Sequence, residues 1–344
     1  MPDRPLVEPD ADPAAVAAEL LAGGHGDGLP VVPPTAARLA AMVDGVAAPD
    51  AVLGQVPPLF GELTVRAVAW YAVLAGCRPA GLPVVVAAVR AALEPRFNLL
   101  GIATTTGAPA VGVLVHGPVA RRIGMTSGAG GLGTGNAVNA GVGRAVSLAL
   151  AGIGGATAGL TDMATIGSPA KYTCCTAEAP RPLPSLAQRR GVGVDVDAVT
   201  VVGVGGLLEV LPGEGYREPP SVLGPAAAAM AGAAMAGGDP RRFRHGEQFL
   251  LLPPELAALV GEQGWGTDRM AGFLFDQGNA LLQTSASALA FRAGALVYAA
   301  GDLRVAASAE DVPVVVTGGA GGKMALLPTW TGGSRSVTAA VRPL

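Results

Sequence analysis

The stretch APAVGVLVHGPVARRIGMTSGAGGLGTGNAVNAGVGRAVSLAL, residues 108–150, decides the fold class. Its apolar run Ala110 to Val115 fits a buried strand, with a short piece of buried helix as the alternative. Val119 to Ile123 reads as a helical turn. SGAGGLGTGN (127–136) then reads as a glycine-rich loop, and the residues to about Leu150 as a helix. A strand leading through a loop into a long helix is the building unit of an α/β chain.

The same alternation extends in both directions. Upstream, Pro13 to Ala22 reads as a helix, with Asp12 as N-cap and proline at the first helical position. GGHGDGLPVVPP (23–34) is a loop, and Thr35 caps a helix to Val43. Glu62 to Ala75 carries Val65, Val68, Ala69 and Ala72 on one helical face, and Leu82 to Leu93 is a helix opened by Pro83. Downstream, KYTCCTAE (171–178) is short and β-prone, and Pro180, Pro182 and Pro184 mark a linker. The expected division is therefore 1–185, holding the glycine loop and the Cys-Cys segment, and 186–344, a second α/β lobe. The second part reads as a strand at Val199 to Val204, helix at Pro225 to Met235, strand at Phe249 to Leu252, helices at Glu255 to Glu262 and Asp268 to Phe275, and a strand at Val312 to Val316 running into TGGAGGK (317–323). The expectation is an α/β fold of two lobes, with glycine-rich turns from both facing a shared cleft. No repeat at a fixed period is present.

Composition narrows the function classes. Of 344 residues, 50% are hydrophobic and 14% charged, the reverse of a disordered chain. The net charge of −3 supplies no basic stripe for nucleic acid. A surface so poor in charge predicts a homo-oligomer. Cys77, Cys174 and Cys175 make no disulfide framework. MPDRP lacks a signal-peptide pattern, and the weakly charged run 137–160 is broken by Arg144 and glycines, so the chain reads as cytoplasmic with no membrane span. Lysine is nearly absent, at Lys171 and Lys323 only, which draws attention to both positions.

Several residues invite chemistry. The loop around Gly131 and Gly133 precedes a helix, so its N–H groups suit an anion, extended by Asn136, Asn139 and Arg144; the alternative is glycine for close packing. Cys175 is the candidate nucleophile. If 171–175 is one strand, Lys171 and Cys175 share a face, where an ammonium would lower the thiol pKa; the alternative is two small buried cysteines. His116 follows an apolar strand, a common place for a site residue. His25, beside Asp27 in a glycine-rich loop, reads as exposed and suited to a general base. Glu62 opens a helix, where a carboxylate is also stabilised for structural reasons alone. Lys323 at the rim of a glycine turn, with Ser334 and Arg335, offers donors for a carboxylate or phosphate. Histidines and cysteines never approach metal-ligand spacing, so no metal is predicted, and no cofactor is indicated.

Several segments together resemble a bacterial family associated with, or fused to, small proteins named for a UGSC motif, in which U is selenocysteine. They are DGLPVVPPT (27–35), GELTVRAVAWYAVLAGCRPAGLPVVVAAV (61–89), RFNLLGI (96–102), HGPVARRIGM (116–125), GRAVSLALAGIGG (143–155), GSPAKYTCCTAE (167–178), LLLPPELAALVGEQGWGTDRMAGFLFD (250–276) and VVVTGGAGGKMALLPTW (314–330) with SRSVT (334–338). Members show a Glu-His pair where this chain has Glu255-Leu256, so an acid–base role is not carried over to that position. The resemblance implies a thiol or selenol partner protein and sulfur-linked or redox chemistry. The leading expectation is thus an enzyme acting on a small anionic substrate by thiol-dependent lyase or reductive-cleavage chemistry. The alternatives are a hydratase or lyase without a covalent thiol, using Glu62, His25 and the glycine loops, and a non-catalytic subunit of a complex.

Overall fold

The computed structural model describes residues 4–180, 182–237, 239–293 and 302–344. Helix α1 (Pro13–Ala22) starts on Asp12, whose carboxylate accepts from the Ala14 and Ala15 N–H groups, and α2 (Ala36–Met42) on the Thr35 hydroxyl. A hairpin follows, β1 (Val52–Val56) and β2 (Gly61–Thr64). Helix α3 (Val65–Leu74) begins only after it, because the Thr64 hydroxyl caps the Ala67 N–H. Glu62, expected at a helix N-terminus, therefore sits on a strand opposite Gln55, and it is exposed.

Next come α4 (Leu82–Ala92), α5 (Leu99–Thr104), β3 (Ala110–His116), α6 (Pro118–Arg122), α7 (Ala137–Gly154), β4 (Cys175–Ala177), α8 (Leu186–Arg189) and β5 (Ala198–Val204). The remainder is β6 (Leu208–Val210), α9 (Pro219–Ala236), β7 (Gln248–Leu252), α10 (Pro254–Glu262), α11 (Thr267–Ala293), β8 (Val314–Val316), β9 (Met324–Pro328) and β10 (Val337–Ala340). Helix α9 starts a turn and a half before Pro225, because Pro219 takes the first helical position behind Glu218.

The strands form two mixed four-stranded sheets, β10-β5-β3-β4 and β6-β9-β7-β8, which establishes the α/β class. The sheets share one plan. In each, a central strand has a parallel neighbour reached through a long helix: β3 pairs with β4 across α7, and β7 with β8 across α11. On its other side the central strand has an antiparallel neighbour, β5 or β9. The outermost strand is exchanged: β10 completes the first sheet and β6 the second. The plan repeats where no sequence period was visible. It also shows why a boundary at 185/186 does not separate the sheets: β5 and β10 lie beyond it, yet pair into the first sheet.

Period-two alternation makes four layers. Val113, Val115, Cys175, Val199, Val201 and Val337 face helices α3, α4 and α7 in one core. Leu250, Leu252, Val314, Val316 and Leu326 face α9, α10 and α11 in a second. The opposite faces meet between the sheets, where Leu114, Cys174, Val202 and Val204 pack on Phe249, Leu251, Val315 and Leu327. Helix α7 is the one described helix long and apolar enough to span a membrane; 61% of it is buried inside the molecule, the placement of a core helix. The two glycine-rich turns pack on each other. The Gly318 N–H donates to the Ser127 carbonyl at 2.8 Å, and a Cβ on Gly319 would stand 2.7 Å from that of Ala129.

Candidate functional site

The inter-sheet face of the first sheet is apolar at one end and polar at the other. The alternation that points Leu114 between the sheets also points His116, Thr200, Ser336 and Thr338 there. These residues are linked. His116 Nδ1 lies 2.6 Å from Glu178 Oε2, and its Nε2 lies 2.8 Å from Thr200 Oγ1. Thr200 Oγ1 is 2.8 Å from Thr338 Oγ1, which accepts from Arg190 Nη1 at 3.1 Å. Arg190 Nη2 donates to Ser336 Oγ at 2.8 Å and reaches Glu247 Oε1 at 3.4 Å. Glu247 also accepts from the Ser336 N–H at 2.6 Å and its hydroxyl at 2.8 Å. Glu178 is held by the Leu186 N–H at the start of α8. His116, Glu178, Thr200 and Glu247 are all buried. Buried polar groups are tolerated where they are paired, and here pairing runs unbroken over seven side chains.

The chain ends at a cavity of about 810 Å³ whose wall includes Arg96, Arg189, Arg190, Arg335 and Thr338. Two of these arginines are compensated: Arg190 by Glu247 and Arg335 by Asp311. Arg96 and Arg189 form no ion pair among the described residues. Arg189 Nη2 donates to the Val314 carbonyl at 2.5 Å, but its Nε is buried without a partner. Burial presses both Arg189 and Arg190 below the usual guanidinium pKa, while Glu178 and Asp268 pull Arg189 the other way and Glu247 does so for Arg190. Asp268 and Glu310 also border the cavity but are exposed, where solvent screens them.

Of the residues singled out from sequence, the structure brings His116 and Arg335 into this region. Ser334 is buried with an unpartnered hydroxyl against Gly203. The others are dispersed. Residues 169–171 form a turn of 3-10 helix, so Lys171 is out of the strand that holds Cys175, and its ammonium pairs with Asp162 at 2.5 Å. Cys175 faces the helix-side core, where α7 comes so close at Gly143 that an added Cβ would stand 2.8 Å from that of Cys175. Burial pushes the Cys175 thiol well above its ordinary range, Cys174 up to about 11 and Cys77 up to about 12. The thiolate expected from a lysine neighbour is thus opposed on both counts. In native protein at neutral pH we expect iodoacetamide to leave Cys174 and Cys175 unmodified until unfolding. Cys175→Ser should cost about 1–2 kcal/mol in urea denaturation, since a hydroxyl replaces a thiol in an apolar core.

His25 is not exposed. It is buried, with Nδ1 3.1 Å from the Tyr71 hydroxyl and its ring edge-on to Trp70. Asp27 does not assist it, being gripped by Arg144 through two bonds of 2.8 and 2.7 Å, which fasten the 23–34 loop to α7. The glycine loop spends its polar groups on itself. Asn136 Nδ2 donates to the Gly130 carbonyl, Asn139 ties Thr126 to Gly131, and the Gly133 N–H donates to Gly130. Gly131 is required for packing, because a Cβ would stand 2.5 Å from Thr176 Oγ1. Lys323 is an exposed partner of Glu209. Glu255 accepts from the Gly321 N–H at 2.8 Å. Among the described residues no group of three His, Cys, Asp or Glu stands in a metal-ligating arrangement.

Glu178, Arg189, Arg190, Thr200, Glu247 and Thr338 carry the site and were missed. The signal available was a polar residue at the inward position of an otherwise apolar strand, Thr200 in AVTVVGV, and adjacent arginines in QRRG. No protein-family model matches the chain, and no curated protein matches it.

Proposed function

We propose that this chain is an enzyme acting on a small anionic substrate in the arginine-lined cavity, by proton transfer of the hydration or elimination kind and without a covalent thiol. The observation that carries this reading is Arg189, partly buried on the cavity wall beside the exposed Arg96, with no ion pair among the described residues and with a buried N–H that nothing accepts. A buried cation is costly unless an anion meets it, and an arginine fork fits a carboxylate or phosphate. The His116–Glu178 pair, joined to the cavity wall by hydroxyls, supports acid–base chemistry over nucleophilic chemistry. Because Cys174 and Cys175 are buried and the Cys77 thiol is pushed up to about 12, sulfur chemistry of the kind the UGSC resemblance implies would be supplied by the thiol or selenol partner.

Calorimetric titration with oxalate and sulfate tests the reading. We expect both anions to bind the wild type. Arg189→Met should weaken them about ten- to a hundredfold, the loss of one charge-assisted hydrogen bond. Absence of binding to the wild type, or equal binding by the variant, overturns it.

A further inference from the structure

Resting on the anion reading of the cavity, we infer that occupation of the cavity is coupled to protonation of His116 through the hydroxyls of Thr200 and Thr338. Each hydroxyl carries one hydrogen, so the chain has a direction. With His116 neutral, Arg190 Nη1 donates to Thr338, Thr338 to Thr200, Thr200 to His116 Nε2, and His116 Nδ1 to Glu178. Thr338 then turns a lone pair, not a hydrogen, to the cavity it lines. A ligand oxygen arriving there meets an acceptor.

Adding one proton to the imidazole reverses the order. Nε2–H donates to Thr200, Thr200 donates to Thr338, and the Thr338 hydrogen is released to face the cavity. One proton enters at the cavity end and each hydroxyl passes its own hydrogen on, so three protons each move one step, the net transfer to His116 Nε2 is one proton, and each threonine keeps one hydrogen. An anion in the cavity stabilises the second arrangement by accepting from Thr338, and the imidazolium formed at the far end is neutralised by Glu178. His116 is thus a positioning residue that holds the proton a reaction in the cavity removes or needs.

The charged groups facing this chain are few. Glu178 touches His116, Arg189 lies near Glu178, Arg190 touches Thr338, and Glu247 touches Arg190. Arg96, Arg335, Asp268, Glu310 and Asp311 border the cavity. The arginines keep their charge throughout and ordinary carboxylates titrate below neutrality. The remaining competitor is His245, whose carbonyl accepts from Arg335, so the experiment is run in a His245→Gln background.

Sulfate is the probe, because it does not titrate across neutral pH. Calorimetry in two buffers of different protonation enthalpy counts the protons taken up per sulfate bound. We expect uptake approaching one proton per sulfate at pH values where the free protein holds His116 neutral, and affinity falling up to about tenfold per pH unit there. Thr200→Val should abolish the uptake and flatten the pH dependence while sulfate still binds. If that variant fails to fold, the imidazole nitrogens are followed by NMR without it; the chain has 3 histidines, so His116 is readily assigned. Sulfate should shift its Nε2 towards the protonated form. Binding without proton uptake, uptake retained in Thr200→Val, or an unmoved His116 signal overturns the coupling while leaving the anion reading intact. Failure of sulfate and oxalate to bind the wild type overturns both.

Discussion

Arg190→Met is expected to lower the unfolding free energy by about 3 kcal/mol, read as a shifted urea midpoint with an unchanged slope. The methionine matches the arginine stem in length, so packing changes little. The effect comes from what remains. Glu247 is 1% exposed and would lose the one ion-pair partner it has among the described residues. Ser336 continues to donate two hydrogen bonds to it, at 2.6 and 2.8 Å, which places the cost at the lower end of the range for breaking a buried ion pair. Ser336 and Thr338 each lose a donor as well. Adding Glu247→Gln to the variant should recover part of the loss, because the neutral amide no longer needs a countercharge. A loss under about 1 kcal/mol for the single variant would place Arg190 among solvated surface pairs and remove the buried chain from the account.

Gly152→Ala is expected to destabilise by about 2 kcal/mol or more, against the sense of helix propensity. In an exposed helix interior the same change gains about 1 kcal/mol. Here α7 crosses Tyr71 so closely that the new Cβ would stand 2.1 Å from the hydroxyl and 2.3 Å from Cζ. Tyr71 has no room to swing away. It is 0% exposed, packed edge-on to Trp70 and bonded to His25. Gly232→Ala in α9 is the matched control, since nothing lies within 4 Å of the added carbon. That variant should gain the propensity term. Thermal unfolding of the two alanine variants should move in opposite directions; parallel shifts would mean that the α7–Tyr71 contact is looser than described.

What the sequence disclosed follows from how local each signal is. Asp12 and Thr35 announced their helices because an N-cap acts within three residues, and both do so in the structure. The apolar runs at 110–115, 199–204 and 249–252 became the central strands and the antiparallel partner of β3. Strands β6, β9 and β10 were not legible. They are short, exposed or polar positions blur the alternation in β6 and β10, β9 is apolar throughout and ends on a proline, and their pairing depends on residues far along the chain. The site failed for the same reason. His116 was visible as a histidine at a strand end, but the network it joins is made by Glu178, Thr200, Thr338 and Arg190, brought together by register across three strands and by the two ends of α8. The reading of Lys171 beside Cys175 assumed a strand that begins only at Cys175.

The exchange of outer strands has a consequence for synthesis on the ribosome. Strand β5 leaves the exit tunnel long before β10, the neighbour that covers its free side. Until residues 337–340 are made, the nascent first sheet presents a seven-residue, fully buried-type strand as an open edge. Such an edge pairs readily with any extended chain nearby, including another nascent copy. Vectorial folding, which ordinarily lets an N-terminal portion finish early, is here held back until the second sheet is also complete. Messages stalled or truncated before codon 337 should therefore yield product that associates edge to edge, and the growing chain is a natural client for a chaperone that shields β5 in the interval.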